Sequence, residues 1–467
     1  MLDLKNHKHI HCIGIGGIGL SALAEIFLSR GYKVSGSDHK QSDVTERLRL
    51  AGATIFLQHQ AKNIEGCDLV VYSSAVSLDN PELEAAADKG IPSVTRAQLL
   101  GCLMGEYARS IAISGTHGKT TTTSMVSLVL KDAKKDPTIL VGGNLSEIGG
   151  NVRIGHSAYF VTEACEYMDS FLSLRPTIEI ILNIDSDHLD YFKDIDHIVS
   201  SFDTFSRLVP KDGYVIAYSA NPFVSSILDN LSCMVVTFGF EEQCDYYASD
   251  ILFDSLGMPS FTISHMGRKL CSLQLAIPGE HNVANALAAF ACCHTLKIST
   301  EQIVVTLEAF SGTQRRFDVI GLTKNKVRIV DDYAHHPTEI KATLKAARNI
   351  PHHDLWCVFQ PHTYTRTLAL FDDFVEALAG ADKIILAEIY AAREKNITKI
   401  SSSSLVEKIR NQFPGKEVYY IENLDDIASF VLKTAQPDDL VITMGAGDIY
   451  KVAEAIIEKD SCMISST

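Results

Sequence analysis

The chain has 467 residues, which is enough for about three domains of ordinary size. Hydrophobic residues make up 46% and charged residues 21%, a globular composition that excludes a disordered, collagen-like or disulfide-scaffold protein. The formal net charge is -15, so we expect no general affinity for nucleic acid or anionic membranes, because binding phosphate requires cations. Any phosphate that the chain binds must therefore be held at a local site.

The cysteines and the apolar segments predict the cellular compartment of the protein. Eleven cysteines are scattered without a CxxC pair, which indicates reduced thiols. Met1 to Lys8 is polar, and no apolar run reaches the roughly 18 residues of a membrane span. We therefore expect a cytoplasmic protein without membrane insertion, and the sequence leaves its oligomeric state open.

Short apolar strands alternate with amphipathic helices through most of the chain, which is typical of α/β folds with parallel sheets. A strand at His9 to Ile13 opens the first block, and a new strand begins a second block near Arg109. Between Asp245 and Pro278, apolar and polar residues alternate, which indicates antiparallel strands added at a sheet edge. The polar stretch Gly312 to Arg316 is the candidate linker to a third α/β block. The predicted domains are 1–108, 109–315 and 316–467.

Within the second block, the apolar runs predict strands at Tyr159 to Thr162 and Ile178 to Ile184. A long amphipathic helix is predicted from about Ile195 to Leu208, and another from His281 to Leu296.

The first glycine-rich turn, Gly14 to Gly19, matches GxGxxG after a predicted strand and at the start of a helix. Such glycines allow a tight turn and a close approach of phosphate to backbone amides. Asp38 lies 19 residues after Gly19, where dinucleotide folds place an acid that binds ribose. The motif alone fits NAD(P), another nucleotide diphosphate or a purely structural turn.

The second glycine-rich turn, Ser114 to Thr120, also follows a strand and opens a helix. Backbone amides and the Lys119 ammonium would hold β- and γ-phosphates, and Thr120 could bind Mg²⁺. The turn departs from a full Walker A motif, because Ile113 stands six residues before Lys119 where that motif has glycine. We interpret it as a nucleoside triphosphate site, with coincidence as the alternative.

Acidic residues follow two strands of the second block. Glu163 comes after Tyr159 to Thr162, and the segment Asp185 to His188 follows the strand that begins at Ile178. Ligands bind at the carboxyl ends of strands in open α/β sheets, and Mg²⁺ prefers oxygen ligands. These side chains could hold Mg²⁺, or they could be solvated loop residues.

Two polar turns in the third block leave apolar strands in the same way. They are Asp331 to Pro337 and Gln360 to Arg366. A zinc site at His335 and His336 is disfavoured, because neighbouring histidines point apart. Arg366 could equally be a solvated arginine at a helix start.

The order of these motifs resembles that of the Mur ligases of peptidoglycan synthesis. The resemblance spans nearly the whole chain, and the segments that carry it are His11 to Ala22, Ser114 to Thr123, Val141 to Asn144, Thr162 to Ala164, Ser170 to Leu172, Asn183, Asp187 to Asp190, Pro278 to Asn282, Arg315 to Phe317, Asp331 to Pro337, Gln360 to Thr367 and Gly445 to Asp448.

The resemblance implies an α/β enzyme of three domains. An N-terminal Rossmann-like domain would hold the diphosphate of a UDP-sugar. A central domain, with a P-loop-type ATPase sheet and added β-strands, would bind ATP and Mg²⁺. A C-terminal Rossmann-like domain would bring the amino acid. The implied reaction joins L-alanine to the carboxylate of UDP-N-acetylmuramate through an acyl phosphate, and releases ADP and phosphate.

Site residues follow from the resemblance, position by position. Lys119 would contact the ATP phosphates, His335 would assist the attacking amine, and Arg366 would meet the amino-acid carboxylate. The other implied nucleotide-binding residues are Gly115, Thr116, His117, Gly118, Thr120, Thr121, His281, Asn282, Arg316 and Asp332. The expected substrate-binding residues are Gly14, Gly16, Gly17, Ile18, Gly19, Ser21, Asp38, Ser73, Tyr333 and His336. The implied Mg²⁺ ligands are Thr120, Glu163 and His188.

The chain departs from the family pattern at several positions. Thr363 stands where many relatives have arginine, so the amino-acid pocket is built differently here. Cys165 and Tyr167 change the neighbours of Glu163. Sister ligases carry a carbamylated lysine in the helix after the His188 motif, whereas Asp194 to Leu208 contains no lysine.

Three alternatives stay open at this point. A related ligase would add a preformed peptide to the same sugar nucleotide, although the short stretch from Tyr333 to Arg366 favours a small amino acid. An NAD(P)-dependent oxidoreductase would use the first turn and leave the second unexplained. A non-catalytic nucleotide-binding switch is the third.

Overall fold

The computed structural model describes residues 3–462, except positions 74, 393 and 398. Within these residues the strands form three sheets with helices between them, which confirms the predicted α/β class. Over the same residues, no helix combines the length and the apolar composition that a membrane crossing requires. The cysteine side chains that the structure describes are all free thiols.

The first sheet is parallel and has the strand order β3-β2-β1-β4-β5. Its elements are β1 (His9–Ile13), α1 (Ile18–Ser29), β2 (Lys33–Asp38), α2 (Asp43–Leu50), β3 (Thr54–Leu57), β4 (Leu69–Tyr72), α3 (Pro81–Asp88), β5 (Ser93–Thr95) and α4 (Arg96–Met104). Strand β1 is buried along its whole length, as expected for a central parallel strand. The strand order reverses beside β1, and ligands bind at such a switch point.

The second sheet has ten strands in the order β15-β14-β13-β12-β11-β10-β6-β9-β7-β8. Its strands are β6 (Arg109–Ser114), β7 (Thr138–Leu145), β8 (Gly150–Arg153), β9 (Tyr159–Glu163), β10 (Ile178–Ile181), β11 (Tyr214–Tyr218), β12 (Met234–Gly239), β13 (Tyr246–Phe253), β14 (Pro259–His265) and β15 (Arg268–Gln274). Its helices are α5 (Lys119–Asp132), α6 (Ile195–Ser206), α7 (Pro222–Ile227), α8 (Glu280–Thr295) and α9 (Thr300–Ala309).

Two features of this sheet compare directly with the sequence predictions. Strands β13, β14 and β15 pair antiparallel, so the predicted added strands between Asp245 and Pro278 are confirmed. Strand β10 ends at Ile181, three residues before the predicted end. The Leu182 amide still donates to the Ser114 carbonyl of β6, but Asn183 then bonds to the second glycine-rich turn, so the strand does not continue.

The third sheet has the order β16-β17-β21-β18-β19-β20, with only β16 antiparallel to its neighbour. Its elements are β16 (Asp318–Leu322), β17 (Arg328–Asp332), α10 (Pro337–Arg348), β18 (Leu355–Phe359), α11 (Tyr364–Ala369), α12 (Phe371–Leu378), β19 (Lys383–Leu386), α13 (Ser402–Gln412), β20 (Glu417–Tyr420), α14 (Leu424–Thr434), β21 (Leu440–Met444) and α15 (Tyr450–Cys462). Strands β18 and β21 are fully buried, since helices cover both faces of the sheet.

By the contacts between residues, the chain divides into two compact units. The first unit extends to Ile184 and includes Val199–Thr237 and Ala288–Ile298. The second comprises Asp185–Ile198, Phe238–Leu287 and the chain from Ser299 onward. The segment that carries Asp187 and His188 therefore packs with the polar turns of the third sheet. The two boundaries between the three predicted domains stay predictions.

Candidate active site

The first glycine-rich turn lies between β1 and α1, in the first unit. The amides of Gly14 and Ile15 both donate to the carbonyl of Ser37, at 2.8 and 3.1 Å, and fix the turn to β2. The Asp38 Oδ2 accepts a hydrogen bond from the Gly16 amide at 2.9 Å. As the first residues of α1, Ile18 and Gly19 have amides without partners inside the helix. These two amides are the ones that the turn leaves for a ligand.

Three other residues predicted for this site have local contacts. Ser21 is buried, and its hydroxyl donates to the Ile18 carbonyl at 3.0 Å. Ile18 is 60% exposed at the start of α1, and the Ser73 Oγ accepts from the Ala75 amide at 3.3 Å. Their contact with a substrate stays a prediction.

Arg96 lies against this turn and was missed by the sequence reasoning. A side chain at Gly19 would place its Cβ 2.9 Å from Cδ and 3.2 Å from Nε of Arg96. The guanidinium therefore lies at the start of α1, where an anionic ligand would gain from it. The available signal was an arginine that directly follows a strand of the same sheet.

The second turn links β6 to α5 and is tied to Asn183. The Thr116 amide donates to the Asn183 carbonyl at 3.2 Å, and the His117 amide donates to Asn183 Oδ1 at 2.8 Å. Gly118 has φ +84°, a conformation that glycine adopts without strain. The buried side chains of Thr120 and Thr121 follow in the first turn of the helix. The structure thus brings the predicted phosphate-binding residues Gly115 to Thr121 into one strand–turn–helix.

Lys119 is enclosed by oxygen atoms of its own chain. Its Nζ donates to Glu166 Oε2 at 2.9 Å, to the Thr116 carbonyl at 3.1 Å and to the Gly115 carbonyl. Burial alone would lower the pKa of Lys119, but the Glu166 carboxylate outweighs it and the pKa lies above the ordinary value. The lysine is therefore a charged group held at the turn. Glu166, only 2% exposed, was missed, although it lies three residues after Glu163 in the same loop.

Glu163 and Thr120 offer oxygen ligands of the kind that Mg²⁺ takes. The Gly142 amide donates to Glu163 Oε1 at 2.6 Å, and a Cβ at the next residue, Gly143, would lie 3.0 Å from the Thr120 methyl group. Both side chains thus lie against adjacent glycines of one segment, and their donor chemistry fits the ion. His188, the third predicted ligand, belongs to the second unit, so its part in a metal site stays a prediction.

In the second unit, Arg366 is paired with Asp187. The Nε and Nη2 atoms of Arg366 donate to Asp187 Oδ1 at 3.1 and 2.9 Å. Burial would raise the pKa of Asp187, but the guanidinium outweighs it and keeps the pKa below the ordinary value. The His188 amide donates to the same oxygen at 2.7 Å. Arg366, predicted to bind the amino acid, and His188, predicted to bind the metal, therefore both bond to Asp187 Oδ1, Arg366 through its guanidinium and His188 through its backbone amide.

His335 and His362 lie beside this pair, with their ring centres 6.1 Å apart. Burial, with the nearby Arg366 charge, lowers the pKa of each imidazole to about 4, so both are neutral at pH 7. His335 Nδ1 lies 2.9 Å from the Tyr333 carbonyl, which requires the proton on Nδ1 and leaves Nε2 as an acceptor.

Several predicted residues of the second unit have contacts within the protein. His336 caps α10, since its Nδ1 accepts from the Thr338 amide, and its Nε2 lies 3.0 Å from the Ser186 carbonyl. Asp332 accepts from the amides of Phe317 and Ala334 at 2.8 and 2.7 Å. These bonds shape the turn after β17, and the predicted ligand contacts of both residues stay predictions.

The aromatic ring of Tyr333 lies beneath two guanidinium groups. Arg315 and Arg316 are 4.9 and 5.2 Å from the centre of the ring. Arg315 also pairs with Asp331 at 3.0 Å, whereas Arg316 is 3.8 Å from Glu339 and partly exposed. Arg316 thus has the longer ion pair of the two, and its predicted contact with the nucleotide stays a prediction.

Two of the implied nucleotide-binding residues, His281 and Asn282, lie at the start of α8. The Asn282 amide group donates to the Pro278 carbonyl at 2.7 Å and accepts from Asn285 at 3.1 Å, so this side chain is buried and fixes the turn. His281 is exposed, and its ring lies over Gly279. A contact of this histidine with a base stays a prediction.

Three family models match successive parts of the chain. The model described as "Mur ligase family, catalytic domain" matches residues 9–108, "Mur ligase middle domain" matches 113–293, and "Mur ligase, glutamate ligase domain" matches 315–447.

Individual proteins are similar over the full length. A UDP-N-acetylmuramate–L-alanine ligase from Acetivibrio thermocellus is 49% identical over 466 residues, which cover 100% of this chain and 98% of that protein. The crystal structure of UDP-N-acetylmuramate-alanine ligase MurC from Thermotoga maritima has a TM-score of 0.82 at 30% identity, with 98% of this chain and 100% of that chain covered. A murein peptide ligase from Psychrobacter arcticus has a TM-score of 0.71 at 26% identity, with 97% and 98% covered.

Proposed function

The chain belongs to the Mur ligase family, and we propose that it joins L-alanine to the carboxylate of UDP-N-acetylmuramate with cleavage of ATP to ADP and phosphate. The observation that carries the proposal is the pair of glycine-rich strand–turn–helix segments on separate sheets, one with a lysine and one without. An oxidoreductase would need only the first. The product is a peptidoglycan precursor.

The first step transfers the γ-phosphoryl group of ATP to the muramoyl carboxylate. A carboxylate oxygen forms a bond to the γ-phosphorus, the bond to the bridging oxygen of ADP breaks, and an acyl phosphate results. Lys119 neutralises charge on the phosphoryl oxygens, and the amides at the start of α5 hold the phosphates. When bound by Thr120 and Glu163, Mg²⁺ would supply further neutralisation of the phosphates.

In the second step, the amine of alanine attacks the activated carbonyl carbon and phosphate leaves. Arg366 binds the carboxylate of the amino acid, because a guanidinium matches that group in two hydrogen bonds. His335 Nε2 accepts a hydrogen bond from the amine and orients it. Since a pKa of about 4 makes this imidazole a weak base, the proton is passed on to solvent.

The proposal also includes the domain boundaries and the cellular location. The three domains are residues 1–108, 109–315 and 316–467, with the UDP-sugar on the first, MgATP on the second and the amino acid on the third. A cytoplasmic location is proposed from the free cysteines, which suit a reducing compartment.

Phosphate release from ATP tests the function. We expect release only when UDP-N-acetylmuramate and an amino acid are both present, with alanine used faster than glycine or serine. A tripeptide that begins with L-alanine, offered in place of the amino acid, tests the alternative of a peptide ligase. Release with the tripeptide but not with alanine would contradict the proposal, as would tight NADH binding without ATP turnover.

A further inference from the structure

We propose that Asp187 is a positioning residue, which orients the Arg366 guanidinium so that its Nη1–Nη2 edge receives the carboxylate of the incoming amino acid. The inference rests on the proposed function, in which Arg366 binds that carboxylate. The resemblance to the Mur ligases implies no role for Asp187.

The geometry of the pair fixes which edge of the guanidinium is used. Arg366 donates from Nε and from Nη2 to the same Asp187 oxygen, at 3.1 and 2.9 Å. A guanidinium has five N–H groups in one plane. Asp187 therefore takes the Nε–Nη2 edge, and a second carboxylate can pair bidentately with the Nη1–Nη2 edge, whose Nη1 atom lies 3.4 Å from His362 Nδ1.

Both partners are confined by the protein. The side chains of Arg366 and Asp187 are 12% and 8% exposed. Asp187 follows β10, Arg366 lies in α11, and the two are 179 positions apart in the chain. A buried, doubly bonded arginine has already lost most of its rotamer freedom, so a ligand that binds it does not have to order it.

The surrounding groups explain why the orientation of this one arginine matters. His335 and His362 are neutral at pH 7, and His362 Nδ1 lies 3.4 Å from Arg366 Nη1. In the cluster of Asp187, His188, His335, His362 and Arg366, the arginine carries the permanent positive charge. Position 363, three residues earlier, is threonine here and arginine in many relatives, so the segment from Gln360 to Thr367 contains one arginine.

Asp187 has a second contact that guides the choice of variant. Its Oδ1 also accepts from the His188 amide at 2.7 Å. Asp187→Asn keeps an oxygen for that amide and removes the charge that attracts Arg366. Asp187→Glu keeps the charge and moves it by one methylene group. The matched control is Asp196→Asn, which makes the same chemical change at an exposed position of α6.

The experiment measures phosphate release while each of the three substrates is varied. For Asp187→Asn we expect the KM for alanine to rise roughly 10- to 100-fold, with kcat at saturating alanine and the KM values for ATP and UDP-N-acetylmuramate changed less than about threefold. Asp187→Glu should recover part of the loss, and Asp196→Asn should behave as wild type. In an Arg366→Lys background, Asp187→Asn should raise the KM for alanine little further, because lysine has no planar guanidinium to orient.

Each other outcome overturns one specific statement. An unchanged KM for alanine in Asp187→Asn, or an equal rise in all three KM values, contradicts the positioning role and leaves the function standing. If wild-type protein shows no release that depends on alanine, the proposed function fails and the inference with it. Should Asp187→Asn not fold by circular dichroism and thermal melting, Asp187→Glu and the Arg366→Lys background decide the question.

Discussion

The two glycine-rich turns of the first unit are built alike but differ in where a positive charge lies. Each follows a parallel strand, opens a helix and engages its early amides with oxygens of the same chain. In the first turn those oxygens belong to Ser37 and Asp38, and in the second to Asn183. What remains for a ligand is the start of α1 in one case and the start of α5 in the other.

The difference lies in the placement of charge. The second turn carries Lys119 inside its own loop, with Glu166 as its partner at 2.9 Å. The first turn has no basic residue, and the cation beside it, Arg96, comes from another helix. A lysine within the turn suits a γ-phosphoryl group that is transferred, because its charge can stabilise the transition state. Backbone amides beside a guanidinium suit a diphosphate that is bound without reacting.

The largest effect should come from Lys119→Ala. The change removes the charge that stabilises the phosphoryl oxygens in the transition state, so we expect phosphate release to fall at least about 1000-fold. Lys131→Ala, near the end of the same helix, is the control and should keep full turnover. Activity near that of wild type in pure, folded Lys119→Ala would show that the second turn does not act through its lysine.

Asp38→Ala should act on the first turn alone. Loss of a charged hydrogen bond to the Gly16 amide loosens the turn, and we expect the KM for UDP-N-acetylmuramate to rise about tenfold with the KM for ATP unchanged. Asp88→Ala, exposed on α3, is the control. If Asp38 bound the ribose instead, a 2′-deoxyuridine analogue of the substrate would abolish the difference between variant and wild type; we expect the difference to persist.

Glu166→Gln tests the charged pair of the second turn through the melting temperature of the protein. The variant leaves the Lys119 ammonium without its carboxylate, so the melting temperature without ligand should fall by at least about 2 °C. Because the Lys119 charge then has no carboxylate partner, the ATP phosphates gain more from it, and the rise on adding MgATP should exceed that of wild type. The comparison variant is the exposed Glu147→Gln; identical melting curves for Glu166→Gln and wild type would refute the role of this pair.

The smallest effect concerns Glu179, buried on β10 and bonded to Ser114 at the start of the second turn. Burial raises its pKa to about 8, so the folded protein keeps a proton that the unfolded chain releases. The stability contributed by this proton is complete below the unfolded pKa near 4.5 and is lost as the pH rises toward 8.

Glu179→Gln removes this dependence on pH. Thermal melting should show the variant more stable than wild type at pH 8 by about 1 to 3 kcal/mol, with the gap closing toward pH 5. A gap that stays constant between pH 5 and pH 8 would mean that Glu179 is ionised in the folded protein.

Local patterns in the sequence predicted much of this architecture. Runs such as His9–Ile13 and the alternation around β14 are properties of neighbouring residues, so the strands, the helix starts and the two turns could be found without a structure. The end of β10 was misplaced, because Asn183 bonds to the second glycine-rich turn, 66 positions away in the chain, and does not continue the strand.

The sequence by itself determined the order of strands and helices, the two glycine-rich turns and the family pattern, since each rests on residues close together in the chain. Only the tertiary structure decided which charges meet. Asp38 reaches Gly16 across 22 positions, Glu166 reaches Lys119 across 47, and Asp187 reaches Arg366 across 179. Partners at such separations depend on strand order and on where each loop leaves its sheet, which no local pattern encodes. Burial then sets the strength of each pair, because charges removed from water interact more strongly than charges on the surface.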